Sequence, residues 1–224
     1  MINSINKELL SCRKCPRLVE FREKIGKEKR KQYEDWDYWA KPVPGYGDQD
    51  AKLLILGLAP AAHGGNRTGR VFTGDKSAEF LFRCLHAAKM ANLSDSVKRD
   101  DGLEIPNSYM TAALKCVPPQ DKPKADEMLN CADFLNREIN ALSDLKVVLA
   151  LGKIAFDAYL RFISTRHEIK KKDFKFGHDL QYELPDGKLL WGCYHPSPRN
   201  VNTGRISQEE MVALLNKVKK ELSK

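Results

Sequence analysis

The sequence contains no long hydrophobic run. None of its apolar stretches approaches the roughly 20 residues that a membrane-spanning helix needs. Residues 1–11 also lack a basic region followed by a long apolar stretch, so no secretory signal is visible. Internal repeats and low-complexity segments are missing as well. These absences predict a cytoplasmic protein that neither spans a membrane nor has a repeat architecture.

The composition is that of an ordinary globular chain with a basic excess. Hydrophobic residues make up 42% and charged residues 30% of the 224 positions, which excludes a disordered chain. A chain of this length buries a sizeable core as one domain and would be cramped as two, so we expect a single domain over residues 1–224. The formal net charge of +8 has two interpretations. It favours a polyanionic partner such as nucleic acid, or it serves solubility alone.

The hydrophobic pattern predicts alternating strands and helices. Four short apolar segments suit strands buried on both faces of a parallel sheet, at residues 52–56, 107–113, 146–151 and 189–194. Helical spacing of apolar residues follows at 77–90 and 124–142, and a last helix opens with Ser207 and Glu210 in capping-box spacing. We therefore predict an α/β fold, a three-layer α/β/α sandwich with a central, mainly parallel four-stranded sheet. Ligands of such sheets bind beyond the carboxyl ends of the strands.

Residues 1–50 are expected to form an N-terminal helical arm. Within it, residues 24–39 are rich in charge and contain aromatic residues that include Trp36, Tyr38 and Trp39. We interpret this segment as a solvated helix that an aromatic anchor holds against the domain.

Cysteine placement indicates a metal or cluster site. Cys12 and Cys15 form a Cys-x-x-Cys pair, while Cys116 and Cys131 both follow the third predicted strand. Four thiolates complete the shell of either a zinc ion or an iron-sulfur cluster, and the alternative is four unrelated buried thiols. Zinc usually takes two tight pairs, so the wide second spacing favours a cluster. The other two cysteines, Cys84 and Cys193, lie on predicted core faces.

The loop after the first strand, residues 57–75, is long, polar and rich in small residues. Small residues let a backbone approach a flat ligand closely. Phe72 can stack on a base, and His63 and Asp75 are the titratable side chains of the loop. Because it lacks both a Gly-Lys-Ser/Thr ending and the Gly-x-Gly-x-x-Gly form, it does not fit a phosphate-binding loop.

The loop after the last strand, residues 195–205, begins with His195-Pro196-Ser197-Pro198. A lone histidine is more often structural than catalytic. The two prolines and the place at the expected functional edge favour His195 as a rigidly presented hydrogen-bond donor. Arg199, Asn200, Asn202 and Arg205 follow it and can contact phosphates or enter a groove.

These two loops together resemble the uracil-DNA glycosylase superfamily. The Gly57-Leu58-Ala59-Pro60-Ala61 run, followed by His63-Gly64 and Asn66-Arg67-Thr68-Gly69-Arg70, is similar to family 5, the B-type, rather than to family 4. The resemblance spans both loops and the four cysteines, over nearly the whole chain. It implies a monofunctional glycosylase for base excision repair that removes uracil from DNA. It also implies a 4Fe-4S cluster on Cys12, Cys15, Cys116 and Cys131.

Two departures from the family 4 pattern bear on specificity. Leu58 and Ala59 stand where superfamily members commonly place an acidic or amide residue that positions water. Ala112 stands where family 4 has an asparagine that reads the uracil edge, so we expect looser base selection, extending to hypoxanthine or xanthine. Asp121 occupies a position where family 5 often has asparagine.

The resemblance, with the residue types above, assigns candidate roles. The catalytic candidates are Asp75, His195 and Asp121. The substrate-binding candidates are Gly57, Leu58, Ala59, His63, Asn66, Phe72 and Ala112, and the DNA-binding candidates are Arg70, Arg199, Asn200 and Arg205. The expected partner is double-stranded DNA, and single-stranded DNA as well, carrying deaminated bases and bound by a monomer.

Two other functions are compatible with the sequence. A protein with this fold and cluster could have lost catalysis and kept nucleic-acid binding, since the first-loop polar residue is absent. A zinc-stabilised hydrolase of free nucleotides would be colourless and active without DNA. Base release from a uracil-containing duplex distinguishes the glycosylase from both.

Overall fold

A computed structural model describes residues 1–223, and a six-stranded sheet forms its centre. The strands are β1 (Tyr46–Gly47), β2 (Leu53–Gly57), β3 (Ser108–Ala112), β4 (Val147–Leu151), β5 (Gln181–Glu183) and β6 (Leu189–Cys193). Their spatial order is β1-β3-β2-β4-β6-β5. The inner four strands run parallel, and β1 and β5 pair antiparallel at the two edges.

The predicted sheet of four parallel strands is confirmed at its centre, but the number of strands is corrected to six. The two additional strands carry no continuous apolar run, because β1 has only two residues and the residues of β5 are exposed or half-buried. Edge strands need only one hydrogen-bonded neighbour and little buried surface, so a hydrophobic pattern does not reveal them.

Helices cover both faces of the sheet. They are α1 (Ile2–Leu10), α2 (Pro16–Glu28), α3 (Gly65–Thr68), α4 (Lys76–Ala87), α5 (Ala125–Ala141), α6 (Lys153–Ile163), α7 (Pro198–Asn202) and α8 (Gln208–Leu222). The predicted capping box at the start of the last helix is present, with Ser207 accepting from the backbone N–H of Glu210. Within residues 1–223, no helix combines the length and the apolar character needed to cross a bilayer.

Each central strand alternates its side chains between two hydrophobic cores. Leu54 and Leu56 of β2 pack with α5 and α6 on one face, while Leu53 and Ile55 pack with α4 and α8 on the other. All four are fully buried. This period-two burial on both faces produces the continuous apolar runs of the sequence and the three layers predicted from them.

The N-terminal arm is helical only in its first part. Helices α1 and α2 precede Lys29, which has a φ of +32° and ends the second helix. Apart from a short 3₁₀ turn at Lys31–Tyr33, residues 29–39 are not helical, so the predicted helix over 24–39 is wrong beyond Glu28. The aromatic residues of this segment are instead used in contacts with the loop after β2, as described below.

Candidate active site

The loops after β2 and β6 meet at the carboxyl edge of the sheet, where the sequence predicted a site. Phe72 and His195 lie side by side there, with ring centroids 6.4 Å apart and ring planes inclined by 31°. The two loops are far apart in sequence, and the parallel pairing of β2, β4 and β6 brings them together.

Phe72 lies directly over the end of β2. A Cβ on Gly57 would come within 2.5 Å of Phe72 Cζ, so only glycine at residue 57 permits this approach. Phe72 itself has a φ of +48°, a left-handed conformation that a phenylalanine adopts only where its surroundings enforce it. The ring is thereby fixed against the strand end and presented toward His195.

His195 is half-buried and its backbone is clamped. The His195 carbonyl oxygen accepts hydrogen bonds from Asn200 Nδ2 and from the Ser197 N–H, both at 2.8 Å. Neither ring nitrogen has a hydrogen-bond partner within residues 1–223. Burial lowers the pKa of His195, while the negative charge of Asp121 opposes that change. The ring is therefore a neutral imidazole near neutral pH, with an N–H free to donate.

Asp75 caps the helix that follows the first loop. One carboxylate oxygen, Oδ1, accepts from the backbone N–H groups of Ser77 at 2.9 Å and Ala78 at 3.0 Å. The other oxygen, Oδ2, lies so close to Gly64 that a side chain at residue 64 would collide with it. Burial raises the pKa of Asp75, and the two backbone hydrogen bonds and the charge of Arg67 pull it back. Asp75 thus combines a structural cap with a partly desolvated carboxylate.

A cavity of about 630 Å³ opens beside Asp75. Three predicted site residues line it, His63, Asp75 and Asp121, together with Tyr33, Trp36 and Arg67 from outside the predicted set. Asp121 is exposed, and its charge acts on both His195 and Asp75. Phe72 and His195 lie outside the cavity lining. Asp121 therefore connects the cavity electrostatically to His195.

Two further first-loop candidates hold the loop in place. His63 Nδ1 is hydrogen-bonded to the hydroxyl of Tyr38 at 2.9 Å, and burial lowers the pKa of His63. Asn66 is completely buried, and its Nδ2 donates to the backbone oxygen of Arg22 at 3.2 Å. Asn66 therefore connects the first loop to α2 rather than lining the cavity.

Three apolar candidates pack against the core. Leu58 and Ala59 are half-buried, and their side chains contact the core on the α5 and α6 face. Ala112 is buried at the end of β3. None of these side chains brings a polar group to the site, as their residue types predicted. The polar groups that hydrogen-bond the base must therefore come from the backbone or from other residues.

Arg70 has a different environment from the one predicted. Its side chain is buried and forms a bidentate ion pair with Asp101. Nη2 donates to Oδ2 at 2.6 Å and Nη1 to Oδ1 at 2.8 Å. The guanidinium also donates to Thr73 and Ser96. With its donors engaged inside the protein, Arg70 fixes the loop from within and is not available as the direct DNA contact that we predicted.

The residues after His195 form the short helix α7 rather than an extended loop. Arg199 is exposed. Asn200 is half-buried, and its side-chain amide donates to the His195 carbonyl oxygen. Arg205 is exposed and stacks on the ring of Tyr194, 4.4 Å from its centroid. Arg199 and Arg205 therefore present cations beside the site, and Asn200 has a positioning contact that its residue type alone did not indicate.

The four predicted cluster cysteines line one small cavity between the arm, the end of β3 and α5. They are Cys12, Cys15, Cys116 and Cys131. Arg22 Nη1 donates to Cys116 Sγ at 3.0 Å, and the Lys115 N–H donates to Cys131 Sγ at 3.2 Å. Within residues 1–223, however, no three histidine, cysteine, aspartate or glutamate side chains are close enough together to form a metal site.

The lining of this cysteine cavity combines thiols, N–H donors and apolar side chains. All four cysteines line one pocket, and N–H donors of the kind that stabilise cluster sulfurs point at three of them, the third being Asn130 Nδ2 at 3.7 Å from Cys15 Sγ. Apolar side chains such as Leu18 and Leu114 complete the lining. By contrast, Cys84 and Cys193 are buried in the opposite core, as the sequence predicted.

Sequence reasoning missed the contribution of the arm to the cavity. Tyr33 and Trp36 line it and contact Arg67, a residue of the first loop that carried no assigned role. The aromatic content of the segment was a visible signal. Its partner was not, because the contact joins residues that no local spacing relates.

Comparisons with known proteins identify the family of this chain. A family model described as the uracil DNA glycosylase superfamily matches residues 44–219. The chain is 43% identical over 209 residues to the type-5 uracil-DNA glycosylase of Pyrobaculum aerophilum, covering 93% of this chain and 88% of the relative. It is 42% identical over 212 residues to the type-5 uracil-DNA glycosylase of Thermus thermophilus, covering 95% and 94%. Identity to a type-4 uracil-DNA glycosylase of Sulfurisphaera tokodaii is 25% over 216 residues, covering 93% and 81%.

The three-layer fold, the two converging loops and the family match define the class of protein, an enzyme of the uracil-DNA glycosylase superfamily. Within that superfamily the chain belongs to the type-5 uracil-DNA glycosylases. The resemblance drawn from the two loop motifs is confirmed.

Proposed function

We propose that this chain hydrolyses the N-glycosidic bond of uracil, and of other deaminated bases such as hypoxanthine and xanthine, in DNA. The observation that carries the proposal is the meeting of Phe72 and His195 at the carboxyl edge, with Asp75 three residues after Phe72 in the same loop and Asp121 acting electrostatically on both His195 and Asp75. An aromatic face, a free N–H donor and a carboxylate are the groups that base extrusion and glycosidic cleavage require.

Cleavage develops negative charge on the departing base and positive charge on the sugar. A flipped base stacks on Phe72, and the neutral imidazole of His195 donates its N–H to a base oxygen as that oxygen becomes anionic. A preformed donor needs no reorganisation at this moment, and the clamped His195 carbonyl holds the residue in place.

The carboxylate of Asp75 acts on the opposite charge. Its Oδ1 remains occupied by the helix cap, which leaves Oδ2 to stabilise the sugar cation or to orient the attacking water. Asp121 is the second carboxylate of the cavity and an alternative position for the water. Because Asp121 is exposed, its electrostatic effect on the reaction is more strongly screened than that of Asp75.

Broad base selection follows from what the pocket lacks. Ala112 offers no amide to read the edge of uracil, and Leu58 and Ala59 turn into the core. A site without a base-specific hydrogen-bonding partner discriminates weakly between bases.

A panel of lesion-bearing duplexes tests this function. Each duplex carries uracil, hypoxanthine, xanthine or mismatched thymine, and abasic sites are cleaved after incubation to score excision. We expect excision of uracil together with at least one deaminated purine. An enzyme that removes none of the four bases contradicts the proposed activity, and one restricted to uracil contradicts the broad selection.

We further propose that Arg199 and Arg205 contact DNA phosphates. The affinity for undamaged duplex is expected to fall as salt rises, with a log-log slope near −0.9 for each phosphate neutralised. Arg199→Ala should reduce that slope by about 1 and slow excision far less once enzyme is saturating. The matched control is Arg137→Ala, near the far end of α5, which should leave the slope unchanged. A salt-independent affinity would rule out this electrostatic contact.

A 4Fe-4S cluster bound by Cys12, Cys15, Cys116 and Cys131 completes the proposal. When bound, such a cluster cross-links the arm to the end of β3 and to α5. Arg22 connects the cysteine cavity to the first loop of the active site. Its guanidinium donates to Cys116, and its backbone oxygen accepts from Asn66 of that loop. The cysteine cavity thereby stabilises the surroundings of the active site without taking part in the reaction.

Loss of one ligand is expected to remove the cluster. Cys116→Ser should abolish the visible absorbance and iron content of the purified protein and lower its melting temperature, because a bound metal group stabilises the fold that binds it. Cys84→Ala, which alters a core cysteine outside the cavity, should retain iron. Purified wild-type protein with stoichiometric zinc and no iron would contradict the cluster.

A further inference from the structure

Arg67 is a buried cation next to the proposed catalytic carboxylate. Its side chain is 2% exposed. Its Nε donates to the His63 carbonyl at 2.7 Å and its Nη2 to the Gly74 carbonyl at 3.0 Å. The remaining nitrogen, Nη1, is buried without a hydrogen-bond partner in the described chain. A buried charge normally has a paired carboxylate, as Arg70 has in Asp101, so the environment of Arg67 requires an explanation.

Two aromatic rings of the arm hold this guanidinium in place. Arg67 Cζ lies 3.9 Å from the ring centroid of Tyr33 and 4.0 Å from that of Trp36. The two rings are themselves in edge contact, with centroids 6.3 Å apart and planes inclined by 76°. Cation–π contacts gain strength where water is excluded, so the rings fix both the position and the orientation of the charge.

The two carbonyls that Arg67 binds are in the segment that places Asp75. Gly74 directly precedes Asp75, and His63 directly precedes Gly64, which lies against Asp75 Oδ2. Arg67 therefore joins the two stretches of backbone that flank the carboxylate. Its positive charge acts on Asp75 from within the same loop.

We propose that Arg67 is a positioning residue for Asp75: held between Tyr33 and Trp36, it fixes the backbone on both sides of the carboxylate and supplies a buried positive charge within the same loop. The inference rests on the proposed catalytic role of Asp75. It also gives the aromatic residues of the arm a function in catalysis.

Other charges around the cavity act on Asp75 as well. Those that line the cavity with it are Arg30, His63, Lys76, Glu79, Asp95 and Asp121. Lys76 is exposed and paired with Glu79, and Asp121 is exposed, so solvent screens these groups. Burial raises the pKa of Asp75, and Arg67 is the buried cation that opposes this effect. Removing its charge should raise that pKa further and reduce the ionised fraction at a given pH.

The test is a double-mutant cycle measured by single-turnover uracil excision across the acid and neutral pH range. Arg67→Gln should move the acid limb of the profile to higher pH and slow excision on that limb by roughly tenfold for each unit that the pKa of Asp75 rises, since one pKa unit corresponds to tenfold in the ionised fraction there. Arg67→Lys keeps the charge and should keep the limb closer to its wild-type position. In the Asp75→Asn background, Arg67→Gln should change the rate by less than about twofold, because the two residues act as one unit.

Two companion variants separate this role from general stability. Trp36→Leu keeps the Arg67 side chain but removes one of the two rings that hold it, from a half-exposed position, so it should fold and should slow excision only where Asp75 is present. Arg166→Gln removes a guanidinium that also stacks on a ring, that of Phe162, away from the site, and should leave the pH profile unchanged.

The outcomes of the cycle are distinct. Equal losses from Arg67→Gln or Trp36→Leu in both backgrounds, with an unmoved acid limb, would overturn the positioning role alone. A wild-type excision rate for Asp75→Asn would overturn both the role of Asp75 and the positioning role of Arg67.

Discussion

Asp75→Asn is expected to slow single-turnover excision of uracil by roughly a hundredfold or more, while the affinity for duplex DNA changes little. Asparagine caps a helix about as well as aspartate, so the bonds to Ser77 and Ala78 and the start of α4 should persist. What is lost is the negative charge that opposes the sugar cation. The measurement is a rate at saturating enzyme, with binding measured separately on undamaged duplex.

The pH dependence of the wild-type enzyme should show the same carboxylate. Because burial raises the pKa of Asp75, its ionised form is lost at a higher pH than for an ordinary aspartate. The excision rate should therefore fall as pH decreases through this raised pKa, and that limb should disappear in Asp75→Asn.

Asp75→Ala separates the cap from the charge. It removes both, and the loss of the cap should lower the free energy of unfolding by about 1 kcal/mol. Asp75→Asn should be close to the wild type in stability. If Asp75→Asn retains a near-normal excision rate, the water-positioning role passes to Asp121 or to the backbone.

His195→Ala is expected to have a comparable effect, a loss of about 10²- to 10³-fold in the single-turnover rate, because it removes a preformed donor to the leaving base. Since burial lowers the pKa of His195, the donor is the neutral ring. The wild-type rate should therefore not fall as pH rises through the neutral range. A steady fall over that range would indicate an imidazolium donor instead.

Two neighbours of His195 provide controls. His178 packs on Tyr194, one residue before His195, so His178→Ala tests whether a general loosening of this strand end accounts for the effect. We expect only a few-fold change. Asn200→Ala removes the amide that holds the His195 carbonyl and should give an intermediate loss. A His178→Ala loss equal to that of His195→Ala would contradict a specific donor role.

The strands and the functional edge could be predicted because their signals are local. A strand buried on both faces needs a continuous apolar run, and each of the four central strands has one. Because the strands are parallel, the loops after β2 and β6 had to emerge at one edge. The place of His195 in a proline-braced loop at this edge favoured it as a donor, and the family resemblance then supplied the catalytic roles of Asp75 and His195.

The arginines of the first loop show where such prediction ends. Arg67 and Arg70 are three residues apart, and the sequence suggested a DNA contact for Arg70. In the fold, Arg70 pairs with Asp101 and Arg67 stacks on Tyr33 and Trp36, so both are buried. Each partner comes from a distant segment, and a cation in a loop has the same local pattern whether it meets solvent, phosphate or a buried carboxylate.

The most direct test of the central claim is the release of free uracil from a duplex by the purified wild-type chain, quantified together with the abasic sites formed. We expect one uracil for each abasic site, an unbroken sugar-phosphate backbone, and a single-turnover rate at least roughly a hundredfold above that of Asp75→Asn. Binding of the duplex with no free uracil would contradict the account. Equal rates for the wild type and Asp75→Asn would contradict its assignment of the catalytic carboxylate.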